Sequence, residues 1–165
     1  MMNSRKRNTG FSLIEVLIAL VILSVGLLGL AGLQTSSLHA NDGAYLRTQA
    51  NVLAYNLFDR MRANISEAKG KAYDRLLTDP APTNPPVCIP TADTPIPDCT
   101  PAQLVQWDMS QWLKQVAKLP DGKASVSTDT SGINTVVTVT LNWLQRGLEH
   151  NEDDSTAKLV VTTAF

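Results

Sequence analysis

One carboxylate, Glu15, stands inside an apolar run from Phe11 to Leu33 whose other polar side chains are Ser12 and Ser24. A carboxylate at the centre of a membrane helix costs about 2.5–3.5 kcal/mol on insertion scales, and less near the interface. Glu15 lies four residues after Phe11, so part of that cost can be relieved by snorkelling toward the headgroups. A tolerated interfacial carboxylate is therefore one reading. The other is a carboxylate kept to meet a cation, since ionisable groups in membrane helices mark functional positions by default. A second pair able to do chemistry is Cys88 and Cys99. His39 and His150 are isolated, with no Cys, Ser or acid at a spacing that signals a catalytic set.

The element that must carry Glu15 is a helix. At 1.5 Å per residue the run reaches roughly 34 Å, enough to cross a hydrocarbon layer of about 30 Å. It is longer than the roughly 7–15 apolar residues of an ordinary secretory signal, and Gly32-Leu33-Gln34 is a poor cleavage site. Arg5, Lys6 and Arg7 lie just before it, which keeps the N-terminus cytoplasmic and puts everything after Gln34 across the membrane. Cys88 and Cys99 then sit in an oxidising compartment, where disulfides persist. A bond between them would contribute about 3 kcal/mol by loop closure. Two free thiols are the alternative. Zinc has less support, because no nearby His or second Cys pair completes a site.

The junction Gly10-Phe11-Ser12-Leu13-Ile14-Glu15-Val16-Leu17-Ile18-Ala19-Leu20, behind its basic leader, resembles the prepilin signal of type IV pilins and type II secretion pseudopilins. That resemblance implies cleavage after Gly10 by a membrane prepilin peptidase and N-methylation of the new N-terminal residue, Phe11. It also implies that Glu15 pairs with the N-terminal amine of a neighbouring subunit during assembly. The physics is compatible: an unpaired amine and an unpaired carboxylate are each costly at low dielectric, and pairing them removes both penalties and sets register. Gly26 to Gln34 after Ile22-Leu23-Ser24-Val25 looks most like the PilV group of minor pilins. The implied partners are other minor and major pilins, the inner-membrane assembly platform, a tip adhesin, and membrane lipid before assembly. The implied location is a single-pass inner-membrane protein with a periplasmic head, then a pilus at the cell surface.

The implied fold is α+β, a long N-terminal α-helix on a small antiparallel sheet. The organisation reads as a leader over 1–10, a transmembrane and assembly helix over 11–34, its amphipathic continuation over 35–70, and a head over 71–165. No proline interrupts the helix to about Lys69. Leu46, Ala50, Leu53, Leu57 and Met61, with Ala54, Phe58 and Ile65 beside them, form an apolar stripe that packs on the head or on a partner helix. Arg47, Asp59, Arg60 and Arg62 read as solvated charges. Gly26, Gly29 and Gly32 form a locally weak stretch where major pilins commonly carry a proline.

Eight of the nine prolines and both cysteines fall between Pro80 and Pro101, an irregular loop of extended backbone. Thr100-Pro101-Ala102-Gln103 is a capping box with proline at the first helical position. The helix it opens runs to about Lys118, with Val105, Met109, Trp112, Leu113 and Val116 as its stripe and Trp107 assigned to the core. Pro120-Asp121-Gly122 ends it. Strands follow over Lys123–Thr128, Ile133–Trp143 and Lys158–Phe165, with a turn at Asp129-Thr130-Ser131-Gly132. Between the last two strands lies a polar loop containing Glu152, Asp153 and Asp154, whose spacing lacks a calcium-loop pattern.

Composition excludes more than it assigns. The chain has 14 basic and 15 acidic residues, and loss of the three leader cations leaves a formal charge of about −4. No basic face for nucleic acid is visible, and the sequence shows no phosphate loop, dinucleotide fingerprint, cofactor motif or catalytic set. An enzyme is not expected. Two rivals remain: a minor pseudopilin of a type II secretion system, which the N-terminal motif does not separate from a pilin, and a single-pass anchor for a periplasmic binding domain.

Overall fold

The structure is a computed structural model that describes residues 12–89, 99–145 and 156–165. The chain divides into two compact units, Met1–Asn41 and Asp42–Phe165. Helix α1, Leu13–Ala63, supplies the described part of the first unit and the opening element of the second.

In the first unit the helix has no core to support it. Its most apolar 18-residue window has a mean hydropathy of 2.8, and none of that window is buried. Leu13, Val21, Ile22, Val25 and Leu28 are all more than 60% exposed. An isolated helix apolar on every side has its stable setting in lipid or against other helices. Gly26, Gly29 and Gly32 stand in open space, so nothing within this unit requires their small size. The Ser24 and Thr35 hydroxyls that bracket them donate back to the Leu20 and Ala31 carbonyls.

The second unit is an α+β head. After α1 come α2 (Ile65–Lys69), α3 (Pro101–Val116) and three strands, β1 (Lys123–Asp129), β2 (Val136–Leu144) and β3 (Thr156–Ala164). The sheet is an antiparallel meander in the order β1-β2-β3. Val139 is the centre of the register, opposite Val126 on one side and Val161 on the other. Alternation puts Val137, Val139, Leu141 and Trp143 of β2 on one face, fully buried. Against that face pack Val105, Met109, Trp112 and Val116 of α3 and Ala50, Ala54, Leu57, Phe58 and Met61 of α1.

Parts of the helical continuation and of the sheet differ from the sequence reading. The helical continuation is not one helix to Lys69: α1 ends at Ala63, and Asn64 leaves the helical region with φ −129° and ψ 55° before α2 begins. The cause is tertiary, since the Asn64 side-chain amide donates to the Pro101 carbonyl at the start of α3 (2.9 Å). Ile65, just past the break, is exposed. The middle strand begins at Val136, and Ile133 lies fully exposed in the connection.

Other elements follow local chemistry. Thr100 accepts from the Gln103 amide while the Gln103 side chain accepts from the Thr100 amide, which forms the capping box of α3. That helix ends at Val116, two residues before Lys118, and Trp107 is half-buried instead of lying in the core. Asp121 takes a left-handed φ of 46°. Gly122 follows because a side chain there would overlap the Val116 carbonyl.

Candidate assembly site and the polar frame of the head

Glu15 lies in the first turn of α1. Ser12 opens that turn: its carbonyl accepts from the Glu15 amide at 3.0 Å and from the Val16 amide at 3.3 Å. The first amides of a helix carry partial positive charge, so a carboxylate three residues into the helix is favourably placed. The Ser12-x-x-Glu15 spacing is also that of a capping box, although no side-chain hydrogen bond joins the two residues in the structure. Among the described residues the Glu15 carboxylate has no hydrogen-bond or ion-pair partner. Its neighbours on the helix surface are Val16, Ala19, Leu20 and Leu23. The arrangement offers an acceptor at the end of an apolar cylinder, suited to a cation brought by another molecule. Gly10 and Phe11, the residues of the cleavage step, lie outside the described residues.

Cys88 and Cys99 are joined by a disulfide with Cα atoms 5.8 Å apart. Cys99 immediately precedes Thr100, the cap of α3, so the bond ties the Pro-rich segment to the start of that helix. Asn64 fixes the same point from the other side through the Pro101 carbonyl. The staple thereby meets the break in α1. Residues 90–98 between the cysteines lie outside the description.

A buried polar frame locks the helices together. Asp108 of α3 is 6% exposed. One of its oxygens accepts from Arg60 Nη1 at 2.8 Å, and the other accepts from the Tyr73 hydroxyl at 3.1 Å. Arg60 also donates from Nε to the Asn56 side chain of the preceding turn. Burial pushes the Tyr73 pKa above its ordinary value, and the Asp108 carboxylate beside it pushes further. Arg60 is thus a framework residue and not a solvated charge. The overlooked signal was Asp108 itself, at i+3 from Val105 and i−4 from Trp112, on the apolar side of α3. Arg62, by contrast, stays at the surface as expected, where it pairs with the exposed Asp59 at 2.8 Å, donates to Thr163 Oγ1 at 3.4 Å and lies 5.8 Å from the Phe165 ring centre.

Among the described residues no three His, Cys, Asp or Glu side chains converge as metal ligands. His39 is exposed on α1. His150 and the acidic cluster Glu152, Asp153 and Asp154 lie outside the described residues.

Comparison with known proteins gives two family matches. Residues 5–31 match the prokaryotic N-terminal methylation motif, and residues 32–110 match the family described as type IV pilin Tt1218. A search of curated proteins and of solved structures finds no significant match. The two family matches run consecutively through the uncovered helix, the break at Asn64 and most of α3, and they support a type IV pilin.

Proposed function

We propose that this chain, supported as a type IV pilin by its methylation motif and family match, is a minor pilin that takes part in assembly or priming of a type IV pilus. The observation that carries the reading is the uncovered apolar helix with Glu15 in its first turn. Such a helix is at home in a bilayer and, after extraction, among the apolar helices of other subunits.

In this reading the chain starts as a single-pass inner-membrane protein with its head in the periplasm. Prepilin peptidase cuts after Gly10, and Phe11 becomes the methylated N-terminus. The Glu15 carboxylate takes the terminal ammonium of a neighbouring subunit. The pair forms as both groups lose water, so a misplaced subunit leaves two unpaired charges and is disfavoured. The assembly platform, other minor and major pilins and a tip adhesin are the partners in this scheme. The PilV group is the subgroup that the span from Ile22 to Gln34 favours. The disulfide across the Pro-rich segment suits a head that functions outside the cytoplasm.

Mass spectrometry of sheared pili and of the membrane fraction tests the proposal. A peptide beginning at methylated Phe11 in sheared pili is the expected result. The processed peptide in membranes alone would favour a pseudopilin or a base-located factor. An intact Met1 leader in mature material would leave a simple membrane anchor. Replacing Gly10 with a bulky residue should abolish processing, and normal maturation of that variant would overturn the cleavage assignment.

A further inference from the structure

Among the described residues two arginine or lysine side chains are partly buried, Arg60 and Arg75, and the rest are exposed. Arg60 has a counter-ion, the Asp108 carboxylate at 2.8 Å. Arg75 has no carboxylate within ion-pair distance among the described residues. A cation taken out of water without a partner anion is costly.

The backbone fixes where Arg75 stands. Its N–H and C=O exchange hydrogen bonds with Val126 at 2.9 and 3.0 Å, which seats it on the outer edge of β1. The guanidinium Nη2 donates to the Asp79 carbonyl. Nε is shut away from solvent with no acceptor. Nη1 has no acceptor among the described residues either, and it is not shut away. The two nearest carboxylates in sequence are used by the chain itself: Asp74 accepts from the Thr128 hydroxyl at 2.6 Å, and Asp79 accepts from the Leu76 amide at 2.6 Å. Burial pulls the Arg75 pKa below its usual value, and the Asp79 charge offsets that only in part.

Arg75 lines a cleft of about 240 Å³ between α3 and the chain that follows α2. Val105 and Met109 line it from α3, and Tyr73, Pro80 and Pro82 from the other side. Sites for drug-sized ligands run to about 300–1,000 Å³, so this cleft suits a short group. An open guanidinium N–H among apolar side chains matches a carboxylate on a short apolar stem. The carboxylate meets the unpaired charge, and charge-assisted bonds of this kind are among the strongest a side chain makes. The stem lies against Val105 and Met109.

We infer that the cleft at Arg75 is a binding site for a single carboxylate on a short apolar stem. A neutral amide of the same shape leaves the guanidinium charge unpaired. A group with two or more negative charges meets Asp74 and Asp79, which also line the cleft. The carboxylate has two sources, a free short-chain acid or an acidic side chain of a neighbouring subunit, and the second source rests on the pilin reading.

NMR of the isotope-labelled full chain in detergent tests the inference, with the Arg75 Nε–H resonance as reporter and the Arg60 resonance as internal control. Sodium butyrate is titrated against butyramide, its neutral counterpart, at constant ionic strength. The expected result is a saturable shift at Arg75 with butyrate, an affinity at least about tenfold weaker for butyramide, and no shift at Arg60. This comparison uses the unaltered chain, so it stands whether or not a variant folds. Arg75→Gln keeps the backbone bridge to Val126 and should abolish the butyrate-dependent shifts of the Ala72 and Gln106 amides. No saturable shift with either compound, equal affinity for the two, or butyrate shifts that survive in Arg75→Gln would each overturn the inference.

Saturation transfer to butyrate then separates the sources, once binding to the isolated chain is shown. The isolated chain is compared with native assemblies from sheared pili or gently extracted membranes, with Arg75→Gln assemblies as the blank. Transfer that depends on Arg75 in both preparations supports the site with a free acid as its ligand. Transfer with the isolated chain that is lost in the assemblies supports the site with a neighbour's side chain in place. The isolated-chain arms do not depend on where the chain is found in cells, so a failure of the pilin reading leaves them standing.

Discussion

The indole N–H of Trp112 donates to the Leu53 carbonyl at 2.8 Å, tying the largest buried side chain of α3 to the backbone of α1. Packing and a directed bond act together here: Trp112 fills the space between helix and sheet, and the bond fixes how far α3 can slide along α1. Trp112→Phe should keep most of the volume and lose the bond, costing about 1–2 kcal/mol. Trp112→Ala should cost about 3–5 kcal/mol through the cavity it leaves. Urea unfolding of the detergent-solubilised full chain measures both, and a Trp112→Phe variant as stable as wild type would mean that the bond contributes nothing.

Asp108 holds two donors at once, Arg60 from α1 and Tyr73 from the segment after α2. Asp108→Ala therefore strands a buried hydroxyl and a partly buried guanidinium. The expected loss is about 3 kcal/mol, more than the pair contributes over a good apolar substitute, because uncompensated polar groups carry the cost. Asp108→Asn keeps one acceptor and should fall between wild type and Ala. A double-mutant cycle with Arg60→Met reads the coupling directly; a coupling near zero would make Asp108 a bystander of packing.

The same cluster predicts alkaline sensitivity. Burial, then the Asp108 carboxylate, raises the Tyr73 pKa above its ordinary value of 10.0. The fold thus favours the neutral phenol, and the phenolate is disfavoured in the folded head. The stabilising contribution is fully present below about pH 10 and is lost as pH climbs through the raised folded value. Tyr73→Phe should lower the plateau by removing a donor to Asp108 and should also flatten this alkaline decline. Unfolding midpoints measured from about pH 8 upward check the sign. An equally steep decline in the variant would assign it to other groups.

What could be read from the residues depended on whether the cause was local. The α3 cap needs only Thr100, Pro101 and Gln103 in order, and the alternation from Val137 to Trp143 needs only the pleat. Both are written in neighbouring positions. Asn64 is different: nothing beside it breaks a helix, and the turn comes from its bond to Pro101, distant in sequence. Ile133 has strand propensity, yet Thr135 is where the chain first meets Phe165, so the connection claims Ile133. Arg60 looked like surface because its partner Asp108 lies on another helix. At the proposed assembly site, Glu15 is legible as a charge in an apolar run, whereas the amine proposed to meet it would belong to another molecule.

Glu15 carries the sharpest functional prediction. Its carboxylate has no partner among the described residues and stands at the start of a helix with no core of its own. If its role were local capping, Glu15→Gln would preserve it, since glutamine serves at that position of a capping box. If its role is to meet a neighbour's ammonium, Glu15→Gln loses the charge and should behave much like Glu15→Ala. Both variants should be processed normally, because the carboxylate lies beyond the Gly10-Phe11 bond. Both should then fall in sheared pili by at least about tenfold, equivalent to roughly 1.4 kcal/mol of lost pairing. Quantitative mass spectrometry of the Phe11 peptide in sheared and membrane fractions separates the cases. Retention of Glu15→Gln with loss of Glu15→Ala would assign the residue to the cap, and retention of both would remove Glu15 from assembly.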